Sequence, residues 1–351
     1  MRVLIATDAW HPQVNGVVRT FERIAERAED FGATLDFLTP DRFPGIPMPG
    51  YPEIRLAFTG ARAVRRHIDR LQPDHIHIAT EGPIGLAARR VCLNAGRPFT
   101  TSYHTRFPEY LRARAPVPVS LSYAYLRRFH NAGQGTLVAT ASLIKELEGH
   151  GFRNLHLWTR GVDSDLFRPR AESVLDLPRP IFLSVGRVAV EKNIEAFLSL
   201  DLPGSKVVVG EGPARASLEK RFPDVHFLGQ HTGEDLAQLY SSADVFVFPS
   251  RTDTFGIVIL EALASGLPVA AYPVTGPLDV IGDSGAGALD ENLGVAAMRA
   301  LACSREEARA LALTHSWSEC ARIFFAQIGS VYALPTPRGQ RRAQVKHAQA
   351  K

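Results

Sequence analysis

Short runs of β-branched and aromatic residues alternate with amphipathic helical stretches along most of the chain, and the whole alternation occurs twice. The first pass predicts strands at Val3–Thr7, Thr34–Leu38, Ile54–Ala57, His75–Ala79, Phe99–Tyr103, Thr136–Thr140 and Leu155–Trp158. Helices lie between them, such as Val17–Phe31, where Phe21, Ile24, Ala25 and Ala28 recur on one face. The pattern restarts with strands at Ile181–Val185, Lys206–Val209, Val225–Leu228, Val245–Phe248 and Pro268–Ala271. Between the two passes, Arg168–Pro180 has prolines at 169, 178 and 180 and no periodic apolar face, which marks a linker. Strand and helix in alternation specify parallel βαβ units. The expectation is two doubly wound α/β domains facing a cleft, and in such sheets ligands sit beyond the carboxyl ends of the strands.

Charge divides along the same line. Residues 1–170 carry 23 basic and 16 acidic side chains, a net +7, whereas residues 171–337 carry 12 and 20, a net −8. Residues 338–351 add five basic and no acidic side chains, expected to form an unstructured tail, and the 351-residue chain sums to +4. Its 45% apolar content excludes a disordered chain. Cys92, Cys303 and Cys320 are too few and too scattered for a disulfide framework or a zinc site, and suit a reducing cytosol. The N-terminal Met-Arg-Val-Leu-Ile-Ala-Thr-Asp reads as a first strand, too short for a signal-peptide core. No run approaches the ~20 apolar residues that span a bilayer, so the chain is expected to be soluble or peripheral.

Four loops that follow strands carry residues with chemistry. Asp8 to Val17 places Asn15 and Gly16 at a helix N-cap, where backbone N–H groups hold phosphate or simply start a helix. Ser184-Val-Gly-Arg-Val-Ala-Val-Glu-Lys puts Gly186, Arg187 and Lys192 beyond a buried strand, as a diphosphate clamp or as solvated surface charges. Gly210-Glu-Gly-Pro opens a helix like a dinucleotide fingerprint but has Arg215 where the third glycine would stand. The densest segment is Phe248 to Val269. Asp253 precedes a helix that starts near Phe255, Gly256 and Ile257 and ends at Gly266. Glu261 in its second turn lies on an apolar face and needs a hydroxyl or cation partner, because burying it alone is costly. A salt bridge, a sugar or a ribose diol would each serve. Asp163-Ser-Asp165 resembles a metal-binding Asp-x-Asp but fits a loop anchor better, and His75 and His77 share a strand face without a third ligand. Trp10, Trp158 and Trp317 read as packing residues.

Taken in order, the Asn15-Gly16 loop, the Arg187/Lys192 pair, Gly210-Glu-Gly-Pro and the Asp253…Glu261 spacing resemble the family 4 retaining glycosyltransferases of GT-B fold. Ser102-Tyr-His-Thr-Arg-Phe-Pro-Glu-Tyr-Leu, Arg160-Gly-Val-Asp and Gly229 to Asp244 agree with the same pattern, to about Tyr332. The family commonly carries two glutamates eight positions apart, and here the first is Asp253, a mark shared with the lipid mannosyl and sulfoquinovosyl transferases. The resemblance implies two Rossmann-like domains, 1–168 for the acceptor and 169–315 for the donor, with a helix at 316–333 returning towards the first. It implies that a nucleotide diphosphate sugar is bound by Arg187 and Lys192 on the diphosphate and by Gly186, Gly210 and the N–H groups of Phe255, Gly256 and Ile257. Glu261 would take the ribose, Asp253 and His104 the transferred sugar, and Gly16 would admit the diphosphate. Neither metal nor cofactor is expected, side chains and helix ends replacing them.

The basic half would meet the acceptor. Arg62, Arg65, Arg66 and Arg70 lie at helical spacings. Arg106–Arg128 interleaves Arg112, Arg114, Arg127 and Arg128 with Tyr110, Tyr123 and other apolar residues, broken by Pro116 and Pro118. Such a stripe suits an anionic membrane surface, or equally a core helix with a solvated basic face. No nucleic-acid-binding module is present. The expected activity is transfer of a hexose or uronic acid from a UDP-sugar to a lipid such as diacylglycerol, by a cytoplasmic enzyme peripheral to the inner membrane face. GDP-mannose-dependent mannosyl transfer to a phosphoinositide or glycan is the alternative, and a non-catalytic nucleotide-sugar-binding protein the further one.

Overall fold

The computed structural model describes residues 1–13, 15–48, 51–112 and 117–333, and these divide into two compact units. The first comprises residues up to Pro108, those between 117 and Thr159, and those from Cys320 onward; the second comprises Arg160–Glu319 with the short stretch 109–112. The basic tail 338–351, with Arg114, lies outside the described residues.

In the first unit, strands β1 (Arg2–Ala6), β2 (Thr34–Leu38), β3 (Gly45–Met48), β4 (Tyr51–Ala57), β5 (His75–Ile78), β6 (Thr100–Tyr103), β7 (Gly135–Val138) and β8 (Leu155–Leu157) alternate with helices. These are α1 (Gly16–Ala25), α2 (Ala61–Leu71), α3 (Pro83–Ala95), α4 (Phe107–Arg112), α5 (Val119–His130) and α6 (Ala141–Gly149). Six strands form a parallel sheet in the order β2-β1-β5-β6-β7-β8. Val3, Leu4, Ile5 and Ala6 are wholly buried, as expected of a central strand covered on both faces. β3 and β4 form a separate antiparallel hairpin. Helix α1 ends at Ala25, not at Phe31: Arg27 and Ala28 bond three residues back, a 3-10 turn follows at Glu29–Phe31, and Gly32 at φ 60° turns the chain into β2.

In the second unit, β9 (Ile181–Val185), β10 (Ser205–Val209), β11 (His226–Gly229), β12 (Val245–Phe248), β13 (Val269–Ala271) and β14 (Gly287–Leu289) make a parallel sheet in the order β11-β10-β9-β12-β13-β14. Its helices are α7 (Ile194–Leu198), α8 (Arg215–Arg221), α9 (Gly233–Ser242), α10 (Ile257–Ala264), α11 (Pro277–Val280), α12 (Leu293–Ala300) and α13 (Arg305–Leu313). Both sheets wind outward in one direction and then return to the other side of their first strand. Strand order therefore reverses between β1 and β5 in one unit and between β9 and β12 in the other, where a doubly wound sheet opens a crevice.

The final helix, α14 (Trp317–Ala333), completes the core of the first unit. Phe324 packs with its ring centroid 5.1 Å from Trp158, 5.3 Å from His77 and 6.0 Å from Phe21. The Trp158 indole N–H donates to Cys320 O at 3.1 Å. Trp158 and Trp317 are buried and Trp10 stacks on Phe37.

Candidate functional site

At the β9/β12 switch point of the second unit, two loops are tied to each other. The chain leaves β9 through Gly186, whose φ of 151° suits glycine, and Gly210 leaves β10 at φ 143°. A Cβ on Gly210 would stand 1.9 Å from Gly186 O, and one on Gly212 2.3 Å from Val188 O, so the Gly210-Glu-Gly-Pro glycines let two backbones touch. Arg187 follows, half-buried. A 3-10 turn at Val190–Lys192 then brings the Lys192 ammonium into an ion pair with Asp253 Oδ1 on the β12 loop. Asn193 Nδ2 donates to Pro249 O at 3.0 Å and Thr252 Oγ1 to Glu191 O at 3.2 Å, which fixes the two loops together. Among the described residues, the other carboxylate oxygen of Asp253 is buried without a hydrogen-bond partner.

Immediately afterwards the chain passes buried Phe255 and left-handed Gly256 (φ 83°) into α10, whose first turn has no side-chain cap. Its N-terminus carries the positive end of the helix dipole, with Ile259 N donating to Gly256 O at 2.9 Å. A Cβ on Gly276 would lie 2.8 Å from Phe255 O, so that loop too is backbone against backbone. Four residues into the helix, Glu261 is only 3% exposed among Ile259, Leu260, Ala262 and Leu263. The hydroxyl that its sequence setting demands is supplied from α9, where Tyr240 donates to Glu261 Oε2 at 3.0 Å. Nothing in the sequence points to Tyr240, which is distant in the chain.

The first unit presents its own switch-point groups. Asp8, just past β1, receives Thr80 Oγ1 at 2.9 Å, Ile84 N at 2.8 Å and Gly85 N at 3.2 Å, and so caps α3 from a distant loop. Burial nevertheless pushes its carboxyl above the ordinary value, against those three bonds. Asn15 caps α1, its Oδ1 accepting from Val17 N and Val18 N at 3.0 and 3.1 Å. The cap itself occupies two of the N–H groups next to Gly16. His104 lies half-buried beyond β6, its Nε2 2.8 Å from Ser102 Oγ, with Phe21 and Trp158 at 5.8 Å. A second chain, buried except at half-buried Glu81, links Glu81, His130, Thr101 and Thr136 at 2.9–3.0 Å. Neither chain is anticipated by the sequence, although residues 100, 102 and 104 visibly alternate along one strand.

The basic stripe is partly rearranged. Arg62, Arg65, Arg66 and Arg70 are all exposed on α2, which buries Val64 and Ile68. On α5 the exposed face is Leu121, Tyr125, Arg127 and Arg128. Tyr123 is a correction: it is 3% exposed, stacks on His150 at 3.7 Å and donates to Glu146 Oε1, because α5 turns that position into the core. Arg106 likewise faces inward, paired with Glu146. Arg112 is exposed at the end of α4, whereas Arg114 and the side chain of Tyr110 lie outside the described residues. Asp163 anchors its loop by accepting from Leu166 N at 3.1 Å.

Residues 14–166 match the family described as Glycosyltransferase Family 4, and residues 179–304 match Glycosyl transferases group 1. The chain is 31% identical to a GDP-mannose-dependent alpha-mannosyltransferase of Mycobacterium tuberculosis, over 80% of this chain and 81% of that protein. It is 32% identical to a sulfoquinovosyl transferase of Arabidopsis thaliana, over 76% of this chain and 58% of that protein. It is 26% identical to an alpha-monoglucosyldiacylglycerol synthase of Streptococcus pneumoniae, over 82% of this chain and 75% of that protein. Among solved structures, the sucrose-phosphate synthase of Thermosynechococcus elongatus superposes with a TM-score of 0.70 at 22% identity, covering 99% of both chains, and shows the same fold.

Proposed function

The chain belongs to the family 4 glycosyltransferases of GT-B fold, and on that premise we propose that it is a retaining enzyme transferring a hexose or uronic acid from a nucleotide diphosphate sugar to a membrane lipid. One observation carries this reading: beside the start of α10, Asp253 holds Lys192 with one oxygen and buries the other without a partner. A buried, unpartnered carboxylate oxygen is costly and asks for a hydroxyl donor, and a sugar is a dense array of hydroxyls. The adjoining Lys192, together with Arg187 and the leading N–H groups of α10, matches the negative charge of a diphosphate.

In the proposed reaction the bond from the anomeric carbon to the diphosphate oxygen breaks, and a bond to the acceptor oxygen forms on the same face. The acceptor's hydroxyl proton passes to the departing phosphate, so no enzymic base is required. The main task is stabilising charge on the leaving diphosphate, and one well-placed cationic or N–H donor contributes about 2.7–4 kcal/mol to that. Glu261, oriented by Tyr240, would receive the ribose hydroxyls, and His104 would donate to the transferred sugar. No metal enters the proposed step.

Lipid as acceptor is supported by the diacylglycerol named for one relative and by the exposed arginines of α2 with the Leu121, Tyr125, Arg127 and Arg128 face of α5. Each such cation near an anionic leaflet contributes about 1 kcal/mol. Among the described residues no helix is long and apolar enough to cross a membrane, which fits attachment from one side. The first reading takes a UDP-sugar as donor. A second, GDP-mannose-dependent mannosyl transfer, is favoured by mannosyltransferase relatives at 29–31% identity.

Radiolabelled UDP- and GDP-sugars incubated with the protein, total lipid and a chelator test the proposal. A labelled lipid from one donor, with the matching nucleotide diphosphate raising the melting temperature most, is the expected result. Donor binding with neither lipid labelling nor donor hydrolysis would overturn it and leave a nucleotide-sugar-binding protein.

A further inference from the structure

His77 sits at the centre of an unbroken chain of side chains in the first unit. On β6 and just beyond it, residues 100, 102 and 104 share a face because strand side chains alternate. His77 on β5 stands in register with Thr100. Thr100 Oγ1 lies 2.8 Å from His77 Nδ1, His77 Nε2 lies 2.9 Å from Ser102 Oγ, and Ser102 Oγ lies 2.8 Å from His104 Nε2. Thr100, His77 and Ser102 have no exposed surface. The rings of Phe21, Trp158 and Phe324 stand around His77 at 5.3–6.4 Å and hold it in place.

The protons in this chain run in one direction. Burial drives the His77 imidazole down to about 3, so it is neutral and has one N–H and one lone pair. Among the described residues, the buried Thr100 hydroxyl has His77 Nδ1 as its one hydrogen-bond partner. Hydroxyl protons in a dry core need an acceptor. If Nδ1 carried the His77 proton, that of Thr100 would have none. Thr100 therefore donates to Nδ1, His77 Nε2–H donates to Ser102 Oγ, and the Ser102 hydroxyl donates to His104 Nε2. A nitrogen that accepts this bond carries no proton in the neutral ring, which leaves the His104 proton on Nδ1.

We propose that His77, acting through Ser102, is a positioning residue that holds His104 in the Nδ1-protonated tautomer, making it a hydrogen-bond donor from Nδ1 and not a base. This rests on the reading of His104 as a sugar contact. A tautomer fixed as donor suits a sugar oxygen, and it agrees with a transfer in which the leaving phosphate takes the acceptor's proton. Fixing the tautomer of an active-site imidazole from behind is an established use of buried hydrogen bonds.

The test is a long-range proton–nitrogen correlation spectrum of the full-length, histidine-labelled protein, with His104 assigned by the signals lost in His104→Gln. The wild type is expected to show His104 protonated on Nδ1. Ser102→Ala should convert it to the Nε2-protonated form, and Ser102→Thr, which restores the hydroxyl, should keep the wild-type pattern. In turnover, Ser102→Ala should lower kcat about tenfold, the loss of roughly one net hydrogen bond, with donor KM nearly unchanged and Ser102→Thr rescuing it. An Nε2-protonated His104 in the wild type, or a tautomer indifferent to Ser102→Ala, would overturn the proposal. Because the tautomer is measured on the protein alone, failure to transfer any sugar would count against the proposed function while leaving the role of His77 to be decided by the spectrum.

Discussion

Asp253 has one oxygen on Lys192 and one buried with no partner, so its two halves answer to different groups. Asp253→Asn keeps the shape and removes the charge. It should lower kcat by about 10²–10³, as losing a preorganised polar contact does, while the melting-temperature rise with nucleoside diphosphate persists. A variant that loses nucleotide binding as well would show that Asp253 mainly serves Lys192. His77 makes a prediction about pH. Its folded value, about 3, is below the ordinary 6.5, so below pH 6.5 the unfolded chain takes up a proton that the folded chain refuses. The stabilising contribution is complete above pH 6.5 and is lost as pH falls towards 3, at up to about 1.4 kcal/mol per unit. Urea midpoints near pH 7.5 and 5.5 should therefore fall further for wild type than for His77→Gln; equal falls would contradict it. At this scale the sequence is half legible. The need of Glu261 for a partner follows from an acid on an apolar helix face. Tyr240, Ser102 and His77 do not follow, because sequence spacing does not say which helices and strands become neighbours.

The elements themselves are mostly readable, since two passes of strand and helix leave few topologies open. The exceptions have local causes. Gly45-Ile-Pro-Met includes a proline, which disfavours a strand, yet it pairs as β3 in a two-stranded hairpin where edge positions tolerate it. Gly287-Ala-Leu is too short and small to stand out, but it adds to the sheet beside β13. Helix α1 stops short of its expected end because the apolar spacing continues through a 3-10 turn. At the ends of β9 and β10 the glycines are structural requirements. Gly210→Ala meets both a positive φ and Gly186 O, and should destabilise by about 3 kcal/mol. Gly32→Ala has a positive φ but nothing within 4 Å, and should lose only about 1 kcal/mol. Similar losses in denaturant titrations would mean that the close approach at Gly210 relaxes freely.

Across the whole molecule the net +4 conceals a basic half, an acidic half and a basic tail. Reversing Arg62, Arg65, Arg66 and Arg70 to glutamate should abolish flotation with anionic vesicles, because that attraction is electrostatic and screened by salt. Flotation indifferent to lipid charge in the wild type would refute the membrane role of α2. Truncation before Arg338 removes five positive charges and should leave activity on a soluble acceptor unchanged; lost activity would show that the tail serves the reaction. The core of the first unit, meanwhile, is closed by Phe324, which contacts Phe21 and Trp158 from a helix some three hundred residues after the first. During synthesis on the ribosome, the unit translated first cannot finish its core until α14 emerges, while the second unit has its sheet complete beforehand. The half made earliest therefore waits longest for its last core residues, and chaperone binding during synthesis should concentrate on it.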